Sequence, residues 1–153
     1  QGGAPQLRLV AVDGINGSTL LDDTYNASPQ STLAALNLLD ELEGRKIAVL
    51  GDMLELGSYE EEGHRKVGLR VIDSVDVLIT VGELSRIIAQ EAQRWGLPNS
   101  AVYTLDDNPQ AIELLKEIVT PGDVILVKGA RASHMEEVVM ALARPAWNGS
   151  RGL

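Results

Sequence analysis

Residues 20–29 read Leu-Leu-Asp-Asp-Thr-Tyr-Asn-Ala-Ser-Pro, a stretch that combines the end of an apolar strand, a polar turn and the start of a helix. Ser28 and Pro29 predict the helix start, because Ser is a favoured N-cap and Pro lacks only an N–H that the first helical turn does not use. In open α/β sheets, ligands bind at the carboxyl ends of the strands. The stretch therefore places two carboxylates, a phenol and an amide where a ligand is expected.

The residues around this stretch predict an α/β fold with a doubly wound, Rossmann-like and mostly parallel sheet. Residues 7–12 and 18–22 are apolar runs on either side of an Asn-Gly pair, so an N-terminal antiparallel hairpin is expected at the edge of the sheet. Helical and strand patterns then alternate, which gives a parallel sheet covered by helices on both faces. A capping box beginning at Ser58 is predicted to start the second helix. The helices are predicted at residues 29–42, 58–73, 84–95, 108–119 and 135–143, and the further strands at 46–50, 76–81, 101–105 and 124–127.

The length and composition limit the class of protein. With 153 residues the chain fits one domain that buries roughly 70% of its unfolded surface, and we expect it at residues 1–144, followed by a mobile tail at 145–153. A net charge of −9 argues against a nucleic-acid or membrane partner, and no apolar run approaches the roughly 20 residues that span a bilayer. The absence of cysteine excludes disulfides and thiolate metal sites and favours a cytoplasmic location. Because the sequence begins with Gln1, we expect a fragment of a longer protein.

Polar side chains follow three of the predicted strands, and the topology brings these strand ends to one edge of the sheet. The groups lie in residues 22–26, 51–57 and 128–134. Carboxylates suit sugar hydroxyls and cationic amines, whereas Arg and Lys suit carboxylates and phosphates. A site with both signs of charge fits a zwitterionic or nucleotide ligand. The candidate site residues are Asp23, Tyr25, Asn26, Asp52, Glu55, Lys128, Gly129 and Arg131, with Asp23 favoured over its neighbour Asp22.

Other features of the sequence argue against a catalytic residue, a metal site or a phosphate loop in this chain. The acidic residues at the strand ends could instead have no ligand. Asp22 and Asp23, and likewise Asp52 and Glu55, would then simply face solvent. His64 is predicted to lie in a solvated first helical turn beside Glu60–Glu62, with no nucleophile to pair with, so no catalytic role is expected. The two histidines, without cysteine, argue against a zinc site, and we predict no metal ligands here. The phosphate-loop pattern G-x-x-x-x-G-K-[ST] is absent from the sequence.

Two alternatives share this fold. In a receiver domain of two-component signalling, the phospho-acceptor site would consist of Asp22, Asp23, Asp52, Thr80 and Lys128. Against it, the chain starts with a hairpin, Asp52 comes one strand too early, and Lys128 is followed by Gly rather than Pro. The second alternative is a non-catalytic nucleotide-binding module.

Three motifs, at residues 22–29, 48–57 and 127–131, resemble the carboxyl-terminal domain of the Mur ligases. The similarity runs from about residue 7 to residue 143, and its most specific element is the run Gly-Asp-Met-Leu-Glu-Leu-Gly at 51–57. This run is most similar to the family member that adds D-alanyl-D-alanine. The chain departs from the usual family pattern at Ser28, Ala130, Ala132 and His134.

The resemblance implies an ATP-dependent ligase of cytoplasmic peptidoglycan synthesis. Such ligases use ATP to phosphorylate the peptide carboxylate of a UDP-N-acetylmuramoyl peptide, and the amine of D-alanyl-D-alanine then attacks to form an amide. The family's amino-terminal domain binds the UDP substrate, and its central domain carries the phosphate loop and the Mg²⁺ ligands. This sequence lacks both, so we expect a domain that closes over them, helps bind ATP and the acceptor, and is inactive alone.

The resemblance also implies roles for individual residues. Asp23 resembles the carboxylate that meets the ATP ribose, and Tyr25 and Asn26 line the same cleft. Asp52 and Glu55 fit the ammonium end of the acceptor by their charge. The acceptor-side loop, whose cations take the dipeptide carboxylate, comprises Lys128, Gly129 and Arg131.

Overall fold

Five α-helices cover both faces of a six-stranded sheet in the computed structural model, which describes residues 9–145. Of the predicted tail, only residue 145 belongs to the described part. The strands are β1 (Val10–Asp13), β2 (Thr19–Asp23), β3 (Lys46–Gly51), β4 (Val77–Val81), β5 (Val102–Leu105) and β6 (Val124–Lys128). The helices are α1 (Pro29–Glu41), α2 (Glu60–Ser74), α3 (Arg86–Arg94), α4 (Asn108–Ile118) and α5 (Glu136–Leu142).

The strand order in the sheet is β1-β2-β6-β3-β4-β5. Strands β1 and β2 pair antiparallel, and all other neighbours pair parallel. The predicted doubly wound α/β fold with an N-terminal hairpin at its edge is therefore confirmed. From residue 18 onward each predicted element is found, with its ends shifted by at most two residues.

The start of α2 differs from the prediction, because the capping box at Ser58 is absent. Ser58 lies in a short 3-10 turn, Gly57–Tyr59, and α2 begins at Glu60 without a side-chain N-cap. Gly57 has φ +59°, and the Tyr59 N–H donates to the Leu56 carbonyl at 3.0 Å, so the chain is already turning before the helix begins. The predicted capping box is wrong because this turn takes its place.

Two apolar layers separate the sheet from the helices. Helices α1, α2 and α3 pack on one face, and α4 and α5 pack on the other. Because β6 is covered on both faces, all five of its residues are buried, as is typical of a central parallel strand. The one polar side chain of β6, that of Lys128, therefore lies at the carboxyl end of the strand.

Arg45 and Asp123 join the segments that precede β3 and β6. Arg45 donates from Nε to Asp123 Oδ1 at 3.1 Å and from a terminal nitrogen to Oδ2 at 2.8 Å, and the Thr120 N–H donates to Oδ2 at 2.8 Å. Burial raises the pKa of Asp123, but the Arg45 guanidinium and the Thr120 N–H outweigh this effect, so the net pKa lies below its usual value of 3.8.

We expect Asp123→Asn to lower the free energy of unfolding at pH 7 by about 1–3 kcal/mol, because charge-assisted hydrogen bonds are lost. A lowered pKa stabilises the folded state above the unfolded pKa, so the difference from wild type should shrink as the pH falls below 3.8. Urea denaturation between pH 7 and pH 3 measures it. Asp106→Asn, which removes an exposed partner of Arg86, is the control and should have little effect at any pH. A pH-independent difference for Asp123→Asn would contradict the role of the carboxylate.

Candidate functional site

The carboxyl ends of β2, β6 and β3 lie side by side at one edge of the sheet. Asp23 is opposite Lys128 in the β2–β6 pairing, and Lys128 is opposite Leu50 in the β3–β6 pairing. The three polar strand ends therefore meet, as the sequence predicts.

A buried ion pair joins Asp23 to Lys128. The Lys128 ammonium donates to Asp23 Oδ2 at 2.8 Å and to the Asn26 carbonyl at 3.0 Å, and the side chains of both charged residues are only 3% exposed. Among residues 9–145, no donor contacts the other carboxylate oxygen, Oδ1. Two residues that the sequence assigns to different ligands thus contact each other. Their ligand roles stay predictions, but Lys128 holds the turn after β2 and is itself enclosed.

The turn after β2 is shaped by Asp22. Its Oδ1 accepts from the Thr24 N–H at 3.2 Å and from the Thr24 hydroxyl at 2.7 Å. This short-range bonding is typical of an Asx turn. The following Tyr25 is 48% exposed, and the Arg131 guanidinium lies 5.0 Å from the centre of its ring, within cation–π distance.

A cleft of about 700 Å³ opens between this turn and the loop after β6. It presents both signs of charge, because acidic residues, Arg131 and a histidine line it together. His134 Nδ1 lies 3.4 Å from Glu136 Oε2, and both residues line the cleft. Of the predicted site residues, Tyr25 and Arg131 line the cleft. The others are not among its lining residues: Asp23, Asn26, Asp52, Glu55, Lys128 and Gly129. The lining consists of Leu9, Val10, Asp22, Thr24, Tyr25, Arg131, His134 and Glu136.

The loops after β3 and β6 approach each other closely at Gly51 and Gly129. A Cβ on Gly51 would lie 2.5 Å from the Met135 sulfur and 3.3 Å from the Gly129 Cα, and a Cβ on Gly129 would also overlap Met135. The Ala130 N–H donates to the Asp52 carbonyl at 3.0 Å. Gly129 therefore has a packing role that the sequence did not reveal, since it brings the Arg131 loop against the β3 loop.

The two acidic residues of the β3 loop differ in their surroundings. Asp52 Oδ1 accepts from the Ser85 N–H at 2.8 Å, so this carboxylate supports the turn before α3. Glu55 is exposed and has φ +62°, a left-handed backbone that a non-glycine residue adopts only under constraint. Their predicted contact with an ammonium group stays a prediction.

The solvated position predicted for His64 is wrong. The residue is fully buried, its Nδ1 lies 2.7 Å from the Glu60 carbonyl, and its Nε2 accepts from the Met53 N–H at 3.1 Å. The physical reason is the helical period, because His64 lies on the same face as the buried Val67 and Val71 while its acidic neighbours face outward.

Asn108 is a site-shaping residue that sequence reasoning missed. It is 8% exposed, and its Nδ2 lies 2.9 Å from the Ser133 carbonyl and 3.1 Å from the His134 carbonyl. It thereby holds the end of the Arg131 loop, where His134 has a left-handed backbone with φ +50°. Its partners, two backbone carbonyls and the Glu137 carboxylate, lie in a distant segment, so the sequence offers no signal for this contact.

Two further observations concern only residues 9–145. No group of three or more His, Asp or Glu residues in this range is arranged to hold a metal ion. No helix in the same range is long and apolar enough to cross a membrane.

Comparison with known proteins identifies the family. The sequence model of the family described as "Mur ligase, glutamate ligase domain" matches residues 7–131 of this chain. A Bacillus subtilis protein named UDP-N-acetylmuramoyl-tripeptide--D-alanyl-D-alanine ligase is 37% identical over 139 residues, which covers 89% of this chain and 30% of the relative. The Escherichia coli protein of the same name is 36% identical, with coverage of 88% and 29%. The crystal structure of MurF ligase from Thermotoga maritima in complex with ADP superposes with a TM-score of 0.74 and 26% identity over 90% of this chain and 30% of that one.

The parallel sheet, the mixed-charge cleft at its carboxyl edge and these matches define an α/β ligase domain. The chain belongs to the Mur ligase family, in which it corresponds to the carboxyl-terminal, glutamate ligase domain. It spans about 30% of the length of the relatives named above. The predicted resemblance is confirmed, and the receiver-domain and binding-module alternatives are not favoured.

The Asp23–Lys128 pair gives a prediction about stability. We expect Lys128→Met to lower the free energy of unfolding by about 3–5 kcal/mol, because it leaves a buried carboxylate without its partner. The double variant Asp23→Asn/Lys128→Met removes both charges and should be more stable than Lys128→Met alone. Urea denaturation of Asp23→Asn, of Lys128→Met and of the double variant measures the coupling. Lys116→Met, at an exposed position on α4, is the control and should have little effect. Additive losses in the double variant would contradict the pairing.

Proposed function

We propose that this domain helps bind ATP and the acceptor dipeptide D-alanyl-D-alanine in a ligase that extends a UDP-N-acetylmuramoyl peptide. Both curated relatives described above carry the name of such a ligase, and a similar structure contains ADP. The observation that carries the proposal is that Asp23 lies at the same carboxyl edge of the sheet as the cleft where Tyr25 and Arg131 meet. The setting is cytoplasmic peptidoglycan synthesis, and hence cell-wall biogenesis, cell shape and cell division.

We assign the nucleotide side to the turn after β2. Lys128 holds Asp23 Oδ2, so Oδ1 is the oxygen left to accept a hydrogen bond from a ribose hydroxyl. The half-exposed Tyr25 offers an aromatic surface beside it, and the Asn26 carbonyl, bonded to Lys128, keeps the turn in place. Lys128 thereby orients a ligand-binding carboxylate and does not itself bind the nucleotide.

We assign the acceptor side to the loop after β6. A dipeptide is a zwitterion, and its terminal carboxylate needs an exposed cation with planar donors. Arg131 is exposed at the cleft, whereas the Lys128 ammonium is enclosed with two protein acceptors, so Arg131 is the better partner. Gly129 lets this loop approach the β3 loop, whose Glu55 is free to face the ammonium end, with Asp52 adding negative charge nearby.

The contribution of this domain to the reaction is positioning. ATP supplies the phosphoryl group that activates the peptide carboxylate, and attack by the acceptor amine forms the amide with loss of phosphate. Residues at this edge of the sheet would orient the two ligands and exclude water when the domain closes on the rest of the enzyme. We place the phosphate loop and the Mg²⁺ ligands in that remaining part, because this sequence has no phosphate-loop motif.

Two substitutions in the complete enzyme separate the two sides of the site. We expect Asp23→Asn to raise the KM for ATP and Arg131→Ala to raise the KM for D-alanyl-D-alanine, each by roughly ten- to a hundredfold, because one charge-assisted hydrogen bond is lost. The KM for the other ligand should change much less in each variant, because Asp23 and Arg131 lie on different loops. Steady-state kinetics test this, with Glu113→Gln on the exposed face of α4 as the control. Unchanged KM values for both variants would refute the assignment.

The 153-residue chain alone is expected to form no amide bond, because its sequence lacks a phosphate loop. Phosphate release from ATP in the presence of both peptide substrates provides the measurement. Steady phosphate release together with new dipeptide-containing product would overturn this expectation.

A further inference from the structure

His64 makes two backbone hydrogen bonds that together fix its tautomer. A carbonyl can only accept, so Nδ1 donates to the Glu60 carbonyl at 2.7 Å. A backbone N–H can only donate, so Nε2 accepts from the Met53 N–H at 3.1 Å. The ring is therefore neutral with its proton on Nδ1. Since His64 is fully buried, it cannot touch a ligand directly.

The partner of His64, Met53, anchors the loop after β3. Met53 is 1% exposed, and its sulfur accepts from the Thr32 hydroxyl at 3.7 Å. The loop is thus held from two helices, α1 and α2, at one residue. Two residues further on, Glu55 has a left-handed backbone, a strained conformation that persists only where the surrounding structure imposes it.

The residue before Met53 connects this loop to the Arg131 loop. The Asp52 carbonyl accepts from the Ala130 N–H at 3.0 Å, and Ala130 directly precedes Arg131. A continuous series of contacts therefore runs from α2 through Met53 and Asp52 to the cation at the cleft.

We propose that His64 is a positioning residue for the acceptor side of the site. It holds Met53, and through Asp52 it fixes the loop that carries Arg131. This inference rests on the proposed function for its kinetic consequence, whereas the mechanical link between the two loops does not depend on it. An apolar side chain of similar size would fill the same space but would leave the Met53 N–H buried without an acceptor, which favours a shift of the loop.

Two variants of the complete enzyme test this role. His64→Leu removes the acceptor, and His64→Gln keeps a carbonyl oxygen that can reach the position of Nε2. Val71→Ala, a cavity in the buried face of the same helix, controls for a general loss of stability. The readouts are hydrogen exchange at the Met53 and Ala130 amides, and the KM values for dipeptide and ATP.

We expect His64→Leu to accelerate exchange at both amides and to raise the KM for the dipeptide by roughly ten- to a hundredfold, with the KM for ATP unchanged. His64→Gln should keep exchange at both amides and the KM for the dipeptide close to wild type, and Val71→Ala should change neither. Unchanged exchange at Ala130, or faster exchange without a change in the dipeptide KM, overturns the positioning role. Arg131→Ala, measured in parallel, distinguishes failure of the His64 inference from failure of the proposed acceptor site. If Arg131→Ala raises the KM for the dipeptide and His64→Leu does not, only the His64 inference fails. If neither variant raises it, the proposed acceptor site fails as well.

Discussion

The ion pair between Lys128 and Asp23 is the interaction on which the candidate site depends. It joins the ends of two neighbouring strands, leaves one carboxylate oxygen available, and holds the Asn26 carbonyl so that Tyr25 is presented at the cleft. Removing two charges from water is costly, and their attraction offsets that cost only when the geometry is good and further hydrogen bonds are made. We therefore interpret this ion pair as an interaction that selects one arrangement of the site, and not mainly as one that increases the free energy of unfolding.

Much of the fold could be predicted because its signals are local. The hairpin follows from Asn16-Gly17 between apolar runs, and Ser28 with Pro29 marks the start of α1, where Ser28 indeed forms a capping box with Ser31. The alternation of strand and helix patterns then places the polar strand ends at one edge, so their meeting could also be predicted. The turn at Gly57 could not, since a 3-10 turn and a helix start share the same preferred residues.

The pairing of side chains within the site could not be predicted, because it depends on residues far apart in sequence. Asp23 and Lys128, 105 positions apart, each resemble a ligand contact when considered alone, and only the register shows that they face each other. The Asn108 contact is similarly hidden. His64 is different: its spacing from Val67 and Val71 indicated a buried face, but the surrounding glutamates suggested solvent, and the periodic signal was the correct one.

The strand order also has a consequence for folding. Strands β3, β4 and β5 are neighbours in both sequence and space, so they can assemble through short connections. In contrast, β2 pairs with β6, which lies near the other end of the chain. Closing so long a loop costs entropy before any contact is gained, and non-local pairing slows folding. During synthesis the amino-terminal hairpin therefore has no strand to pair with until almost the whole domain has been made. We expect β1 and β2, and with them the turn that carries Asp23 and Tyr25, to be the last part of the sheet to form.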